Sequence, residues 1–146
     1  MDENIRRIIL EKLPYSKPFR FVDDILEVTD EHITGVYTYS SDEYFYAGHF
    51  TGNPITPGVI LIETMGQIGL TCFALYFFKD EIRKFTTLLS SVDAEFLIPV
   101  LPGEKVRVTS HKQYFRQNTL KCSIEMFNSE GKTAAKLQAI MKIVFS

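Results

Sequence analysis

Residues 48–78 are GHFTGNPITPGVILIETMGQIGLTCFALYFF, a loop rich in glycine and proline followed by a long apolar segment. Glycine and proline restrict the path of a loop, so we expect the imidazole of His49 to be held in a fixed position. The apolar segment from 58 to 78 predicts one helix, because it is much longer than a typical strand. A helix that is apolar on all sides is covered by other elements. This segment is therefore predicted to be the central helix of the fold.

The flanking sequence predicts a sheet that covers this helix. Residues 2–13 predict a short amphipathic helix ending at Pro14. Six strands are predicted, and apolar and polar residues alternate most clearly in the last two. The predicted bounds are 19–28, 33–40, 85–98, 105–115, 120–126 and 135–145. One face of this sheet is apolar, and the helix can fill it. The predicted fold is α+β, an antiparallel sheet of about six strands wrapped round one long helix, in a single domain of residues 1–146.

The composition excludes several classes of function. A net charge of −2 argues against nucleic acid as the main partner, because phosphate contacts require a concentrated basic surface. The acidic start of the chain, in which Arg6 and Arg7 interrupt the first apolar residues, does not match a secretory signal. Cys72 and Cys122 lie in apolar segments and predict buried free thiols of a reducing cytoplasm.

A membrane span is the main alternative for the apolar segment. Residues 59–78 are long enough to cross a bilayer. Glu63 and Gln67 stand one turn apart within them, where a charge in lipid is costly. The remaining strands have one polar face each, as in a soluble domain. We therefore favour a core helix over a membrane span.

Three groups in the opening stretch suit proton transfer beside a thioester. His49 offers an imidazole, which changes charge near neutral pH. Glu63 is the only charged residue between positions 58 and 78, and a carboxyl among apolar side chains is either protonated or paired. The amide at Gly58 begins the helix, where free N–H groups can polarise a carbonyl oxygen. Loss of water from a 3-hydroxyacyl thioester needs a base, a carbonyl polariser and an acid, and no residues stand at the spacing of a metal site.

Each of these residues also has a plainer interpretation. A lone histidine is usually a surface residue or one with satisfied hydrogen bonds, as we expect for His32 and His111. Glu63 lies near a helix N-terminus, where the helix dipole favours an acid on an exposed flank. Gln67, one turn further, can hold the Glu63 carboxyl or bond a buried backbone group. The residue types alone therefore leave their roles open.

The arrangement resembles the hot-dog-fold 3-hydroxyacyl-(acyl carrier protein) dehydratases of type II fatty acid synthesis. The shared pattern is a loop His-Phe, a proline-containing run, Pro-Gly-Val and a helical acid, matched here by His49-Phe50, Pro54, Pro57-Gly58-Val59 and Glu63. A Glu at the last position resembles the branch that dehydrates without isomerising the double bond. The resemblance extends through Pro18-Phe19, Val22-Asp23 and the run from Phe96 to Gly103, so it covers nearly the whole chain.

This resemblance implies a hydro-lyase that needs no cofactor or metal and works in the cytoplasm. His49 and Glu63 would be the catalytic pair, facing each other across a homodimer, and their division of the proton transfers stays open. The implied substrate-binding residues are Phe50, Gly58, Val59 and Gln67. The partner would be an acyl carrier protein whose phosphopantetheine arm delivers the acyl chain to an apolar tunnel beside the central helix. Trimers of such dimers, which are homohexamers, are common in the family.

The chain departs from the family pattern at Thr51, Thr56 and Leu97-Ile98, where proline, methionine and a basic pair are usual. No departure removes a catalytic group. They leave open whether the acyl chain belongs to ordinary fatty acid synthesis or to a specialised pathway, such as aryl polyene or other lipid synthesis. Two other functions also stay open: an acyl thioesterase, which would release free acid, and a non-catalytic acyl-thioester binding module, which would bind without turnover.

Overall fold

The computed structural model describes residues 1–146. Helix α1 spans Glu3–Lys12, and strands β1 and β2 span Asp24–Val28 and His32–Thr38. A short 3-10 helix, Tyr44–Ala47, leads into the loop that contains His49. The central helix consists of α2 (Gly58–Gly66), a π-helical turn (Gln67–Thr71) and α3 (Cys72–Phe77). Strands β3, β4, β5 and β6 follow at Phe85–Phe96, Lys105–Arg116, Thr119–Phe127 and Thr133–Phe145.

The six strands form one antiparallel sheet in the order β1-β2-β4-β5-β6-β3. The sheet wraps round the central helix, so the predicted α+β hot-dog fold is confirmed. Strand β3 pairs only with β6 and forms one edge of the sheet. This edge is twelve residues long, whereas β1 at the other edge has five.

The core lies between the central helix and the concave face of the sheet. Met65, Ile68 and Phe73 of the helix are fully buried, and the alternating residues Leu120 and Met126 of β5 meet them from the sheet side. The apolar helix Gly58–Phe77 has a mean hydropathy of 1.6, and 72% of its most apolar window is buried inside the fold. This burial is what a core helix requires, and it accounts for the apolar composition without a membrane.

The two cysteines are free and buried, as predicted. Cys72 lies in α3 and Cys122 in β5. Burial penalises the charged thiolate, so it raises the pKa of the Cys122 thiol to about 11 and raises the pKa of the Cys72 thiol as well. Neither thiol is therefore a reactive nucleophile at neutral pH.

The prediction of a strand over 19–28 is wrong in its first half, because β1 begins only at Asp24. The backbone N–H of Phe21 donates to Oε1 of Gln67 at 2.8 Å, and Nε2 of Gln67 donates to the carbonyl of Phe19 at 2.9 Å. A side chain of the central helix thus satisfies backbone groups that would otherwise need a neighbouring strand. The segment runs across the helix instead of joining the sheet.

The π-helical turn lies where the central helix comes very close to the sheet. A Cβ atom at Gly69 would stand 2.7 Å from Cδ1 of Ile124 and 3.0 Å from Cβ of Ser110. The hydroxyl of Ser110 also donates to the carbonyl of Gly69 at 2.9 Å. Space, and not backbone flexibility, therefore requires glycine at this position.

This close approach predicts opposite effects for two alanine substitutions in the same helix. Gly69→Ala should lower the free energy of unfolding by about 1–3 kcal/mol, because the added methyl overpacks the core. Gly66→Ala, whose Cβ would meet nothing within 4 Å, should raise it by up to about 1 kcal/mol through helix propensity. Denaturant unfolding of both variants measures the difference, and equal effects would contradict the packing described here.

Candidate active site

His49 is fixed by hydrogen bonds to residues that precede and follow it in the loop. Its backbone N–H donates to the carbonyl of Phe45 at 3.1 Å, and its carbonyl accepts from the N–H of Ile55 at 2.9 Å. The ring nitrogen Nδ1 lies 2.9 Å from the carbonyl of Ile55. A carbonyl oxygen only accepts, so Nδ1 carries the hydrogen and Nε2 is the free acceptor of the neutral ring. The loop thus presents the tautomer that can take a proton through Nε2.

Phe50 covers one face of this imidazole. The two rings stack with centroids 3.9 Å apart and planes inclined by 27°. Two backbone hydrogen bonds of 2.8 Å join Phe50 and Asn53 into a tight turn. Gly52 in this turn has φ of +71°, a conformation that favours glycine. The glycine and proline pattern of the sequence therefore does correspond to a constrained loop.

A hydrogen bond between two buried hydroxyls stabilises the same loop, and we refer to this pair, Tyr46 and Thr56, as the hydroxyl brace. Tyr46 OH and Thr56 Oγ1 lie 2.6 Å apart, and both residues are buried. The N–H of Thr56 donates to the carbonyl of Val100 at 2.9 Å. Thr56 directly follows Ile55, whose carbonyl orients His49. Sequence reasoning missed this brace, and its only signal was a threonine where methionine is usual.

Glu63 lies in the second turn of α2 and is half-buried. Its Oε2 accepts a hydrogen bond from Nε2 of Gln67 at 2.9 Å, as the helix spacing predicted. Gln67 is 1% exposed and also bonds the backbone at Phe19 and Phe21. Both interpretations of Gln67 are therefore confirmed: it holds the carboxyl, and it satisfies buried backbone groups.

A crevice of about 280 Å³ opens in front of the Glu63 carboxyl. Glu63 is the only charged residue in its lining. Apolar side chains and three hydroxyls form its other walls, contributed by Ile62, Leu70, Leu89 and Met141 and by Tyr15, Thr71 and Thr87. A single carboxyl in such a crevice can exchange a proton with a bound molecule while apolar walls hold an alkyl chain.

The start of α2 offers two amide donors. The N–H groups of Ile60 and Leu61 both bond the carbonyl of Pro57, at 2.9 and 3.1 Å. Those of Gly58 and Val59 precede them and have no acceptor in the helix. A Cβ at Gly58 would stand 3.1 Å from Cζ of Phe96, so the ring of Phe96 packs against this glycine and leaves no room for a side chain. The role of the Gly58 amide in polarising a carbonyl stays a prediction.

Within one protomer, His49 and Glu63 share neither a hydrogen bond nor the lining of the Glu63 crevice. His49 is absent from the lining of the Glu63 crevice, and its ring bonds only the carbonyl of Ile55. The other two histidines are surface residues with no part in either group: His32 bonds Thr29 and Glu27, and His111 is exposed. The structure describes the surroundings of both predicted residues, and their pairing stays a prediction.

In the sequence comparisons, the family model and the relatives below describe one kind of protein. Residues 13–138 match the family model described as FabA-like domain. The chain is 32% identical to 3-hydroxyacyl-(acyl-carrier-protein) dehydratase FabZ of Ehrlichia chaffeensis over 96% of this chain and 94% of the relative. It is 40% identical to FabZ of Geobacter metallireducens over 68% and 67% of the two chains.

Solved structures share the fold at low sequence identity. The dehydratase heterocomplex ApeI:P of Xenorhabdus doucetiae superposes with a TM-score of 0.77 at 14% identity, covering 92% of this chain and 89% of that one. The PaaI protein from the phenylacetic acid degradation operon of E. coli superposes with a TM-score of 0.62 at 18% identity, covering 82% and 81%. At these identities the likeness shows the fold alone.

We predict that removal of either hydroxyl of the brace changes the tautomer of the His49 ring. In Tyr46→Phe and Thr56→Val, the carbonyl of Ile55 loses its support, so part of the population should carry the proton on Nε2 instead of Nδ1. Nitrogen NMR of the imidazole measures this, and the free energy of unfolding should fall by about 1 kcal/mol. The control is Tyr76→Phe, which removes an exposed bond of 2.6 Å to Asp30. Unchanged His49 signals in both brace variants would contradict the role given to the brace.

Proposed function

Since the chain belongs to the FabA-like family, we propose that it is a 3-hydroxyacyl-(acyl carrier protein) dehydratase. It removes water from a 3-hydroxyacyl thioester and leaves a trans-2-enoyl thioester. The observation that carries the proposal is the lone carboxyl of Glu63 in an apolar crevice, together with an imidazole whose free nitrogen is Nε2. FabZ relatives that match nearly the whole chain support the same reaction.

His49 is proposed to start the elimination as the base. With Nδ1 bonded to the carbonyl of Ile55, Nε2 takes the proton from C2 of the acyl chain. The N–H of Gly58 donates to the thioester oxygen as negative charge develops there. The electron pair of the broken C–H bond then forms the double bond between C2 and C3.

Glu63 is proposed to complete the elimination as the acid. Gln67 donates to Oε2, so Oε1 can carry the proton. That proton passes to the C3 hydroxyl, which leaves as water when the C–O bond breaks. The base now holds one proton more and the acid one proton less, and transfer between them restores the site. The net change is the loss of one water from the substrate.

The site is proposed to form across a homodimer that pairs along β3. A long edge strand with unpaired backbone groups is a template for pairing with another chain. Strand β3 has this character, because it has one neighbour only and leaves Leu88, Leu89 and Phe96 about half exposed. Since Leu89 also lines the Glu63 crevice, a second copy along β3 would stand beside that crevice. It would bring its His49 to the carboxyl, and a trimer of such dimers is a further proposal from the family.

The partner that supplies the substrate is proposed to be an acyl carrier protein in the cytoplasm. Its phosphopantetheine arm would enter beside Phe50 and Val59, which are 52% and 72% exposed. An acidic carrier would need local positive charge, because this chain has a net charge of −2. Exposed bases available for that contact are Arg83, Lys84, Arg107 and Arg116.

The reaction products distinguish the proposed dehydratase from the two alternative functions. A dehydratase converts 3-hydroxyacyl carrier thioesters to 2-enoyl thioesters, with loss of one water by mass and the thioester intact. A hot-dog thioesterase would release free acid and thiol. A binding module would give neither product. Mass spectrometry of the acyl carrier after incubation distinguishes the three, and an unchanged or hydrolysed thioester would contradict the proposal.

Substitution of the two proposed catalytic groups predicts loss of turnover without loss of assembly. His49→Ala and Glu63→Gln should each lower kcat by about 100-fold or more, the usual contribution of general acid–base catalysis. The circular dichroism spectra of both variants, and their masses from light scattering, should match those of the wild type. His111→Ala, which removes an exposed imidazole, is the control and should keep full activity. Full activity in either catalytic variant would remove that residue from the mechanism.

A further inference from the structure

Three hydroxyls line the Glu63 crevice and contact one another. Tyr15 OH lies 3.0 Å from Oγ1 of Thr71, and Oγ1 of Thr71 lies 3.4 Å from Oγ1 of Thr87. They come from three elements: the segment after α1, the π-helical turn and strand β3. An alkyl chain cannot pass between oxygen atoms at these separations. We refer to Tyr15, Thr71 and Thr87 as the hydroxyl floor.

A second, larger crevice lies on the other side of the hydroxyl floor. It has a volume of about 420 Å³, and Thr71 and Thr87 line it as well as the Glu63 crevice. Its apolar wall consists of Leu75, Phe78, Ile82 and Phe85, and its other residues include the charged Lys12, Glu81, Arg83 and Lys84. The two threonines therefore separate two spaces, and the apolar wall of each has room for part of an alkyl chain.

The volume of the Glu63 crevice limits how many carbons it holds. A cavity of about 150 Å³ holds one benzene, which has six carbons. The Glu63 crevice of about 280 Å³ therefore holds about ten carbons, which are C3 to C12 of an acyl chain whose C3 lies at Glu63.

We propose that the hydroxyl floor limits the substrates of this dehydratase to acyl chains of about twelve carbons or fewer, and that Thr87 determines this limit. The inference rests on the proposed function. Thr87 is the more readily altered partner, because it is half-buried on the edge strand β3, whereas Thr71 is 3% exposed in the core. Removal of the Thr87 hydroxyl and methyl should join the two crevices into one longer channel.

The test compares Thr87→Ala with Thr86→Ala. Thr86 is the adjacent residue of β3, exposed on the opposite face, so the control loses the same atoms from the same strand. In the wild type, kcat/KM for a sixteen-carbon 3-hydroxyacyl thioester should be at least about 10-fold below that for the eight-carbon one. Thr87→Ala should raise the ratio of sixteen to eight carbons by about 5-fold or more, while Thr86→Ala, which lies outside the crevice lining, keeps the wild-type ratio.

Two results would overturn the inference: a wild type that uses both chain lengths equally, or a Thr87→Ala variant with an unchanged ratio. Calorimetry of the binding of saturated eight- and sixteen-carbon acyl pantetheines tests the length limit without any reaction taking place. If the protein dehydrates neither substrate, the proposed function fails. The change in the binding ratio between Thr87→Ala and Thr86→Ala then still decides the inference.

Discussion

The side chain of Gln67 connects the fold of this protein to its candidate site. A buried amide is costly unless its hydrogen bonds are made, and Gln67 makes three from the middle of the central helix. Two of them fix the backbone at Phe19 and Phe21, which closes the fold on the outer side of the helix. The third holds the carboxyl of Glu63. One amide therefore links the segment that crosses the helix to the only carboxylate of the helix.

The second half of the site is built by different means. His49 sits on a loop, and hydrogen bonds to Phe45 and Ile55 and the buried pair Tyr46–Thr56 hold that loop in place. A rigid loop and a buried helix can each be formed by one chain without bringing their groups together. The long unpaired edge of β3, beside the Glu63 crevice, offers a way to join them through a second copy. In the proposed dimer, the two protomers would each contribute one of the two groups.

Local patterns in the sequence were sufficient for most of the fold. Alternation in β5 and β6 and the apolar run of the central helix predicted these elements close to the observed bounds. The wrong part was 19–23, where the competing partner is a side chain 46 residues away. The π-helical turn was also missed; it includes Gly69, whose close packing against Ile124 across the core is a contact between distant segments. The hydrogen bond from Gln67 to Glu63 was predicted because it lies within one helical turn. The brace at Thr56 and the hydroxyl floor depend on contacts between distant segments, which no local pattern reports.

The central claim is that His49 of one protomer works with Glu63 of another, and subunit complementation tests it most directly. His49→Ala and Glu63→Gln are each inactive on this account. In a dimer of one chain of each kind, one of the two sites has both native groups. Coexpression of the two variants should therefore restore about a quarter of the wild-type activity, because about half of the dimers are mixed and each has one intact site. Activity no higher than that of either variant alone, in samples shown by mass spectrometry to contain mixed dimers, would contradict a shared site.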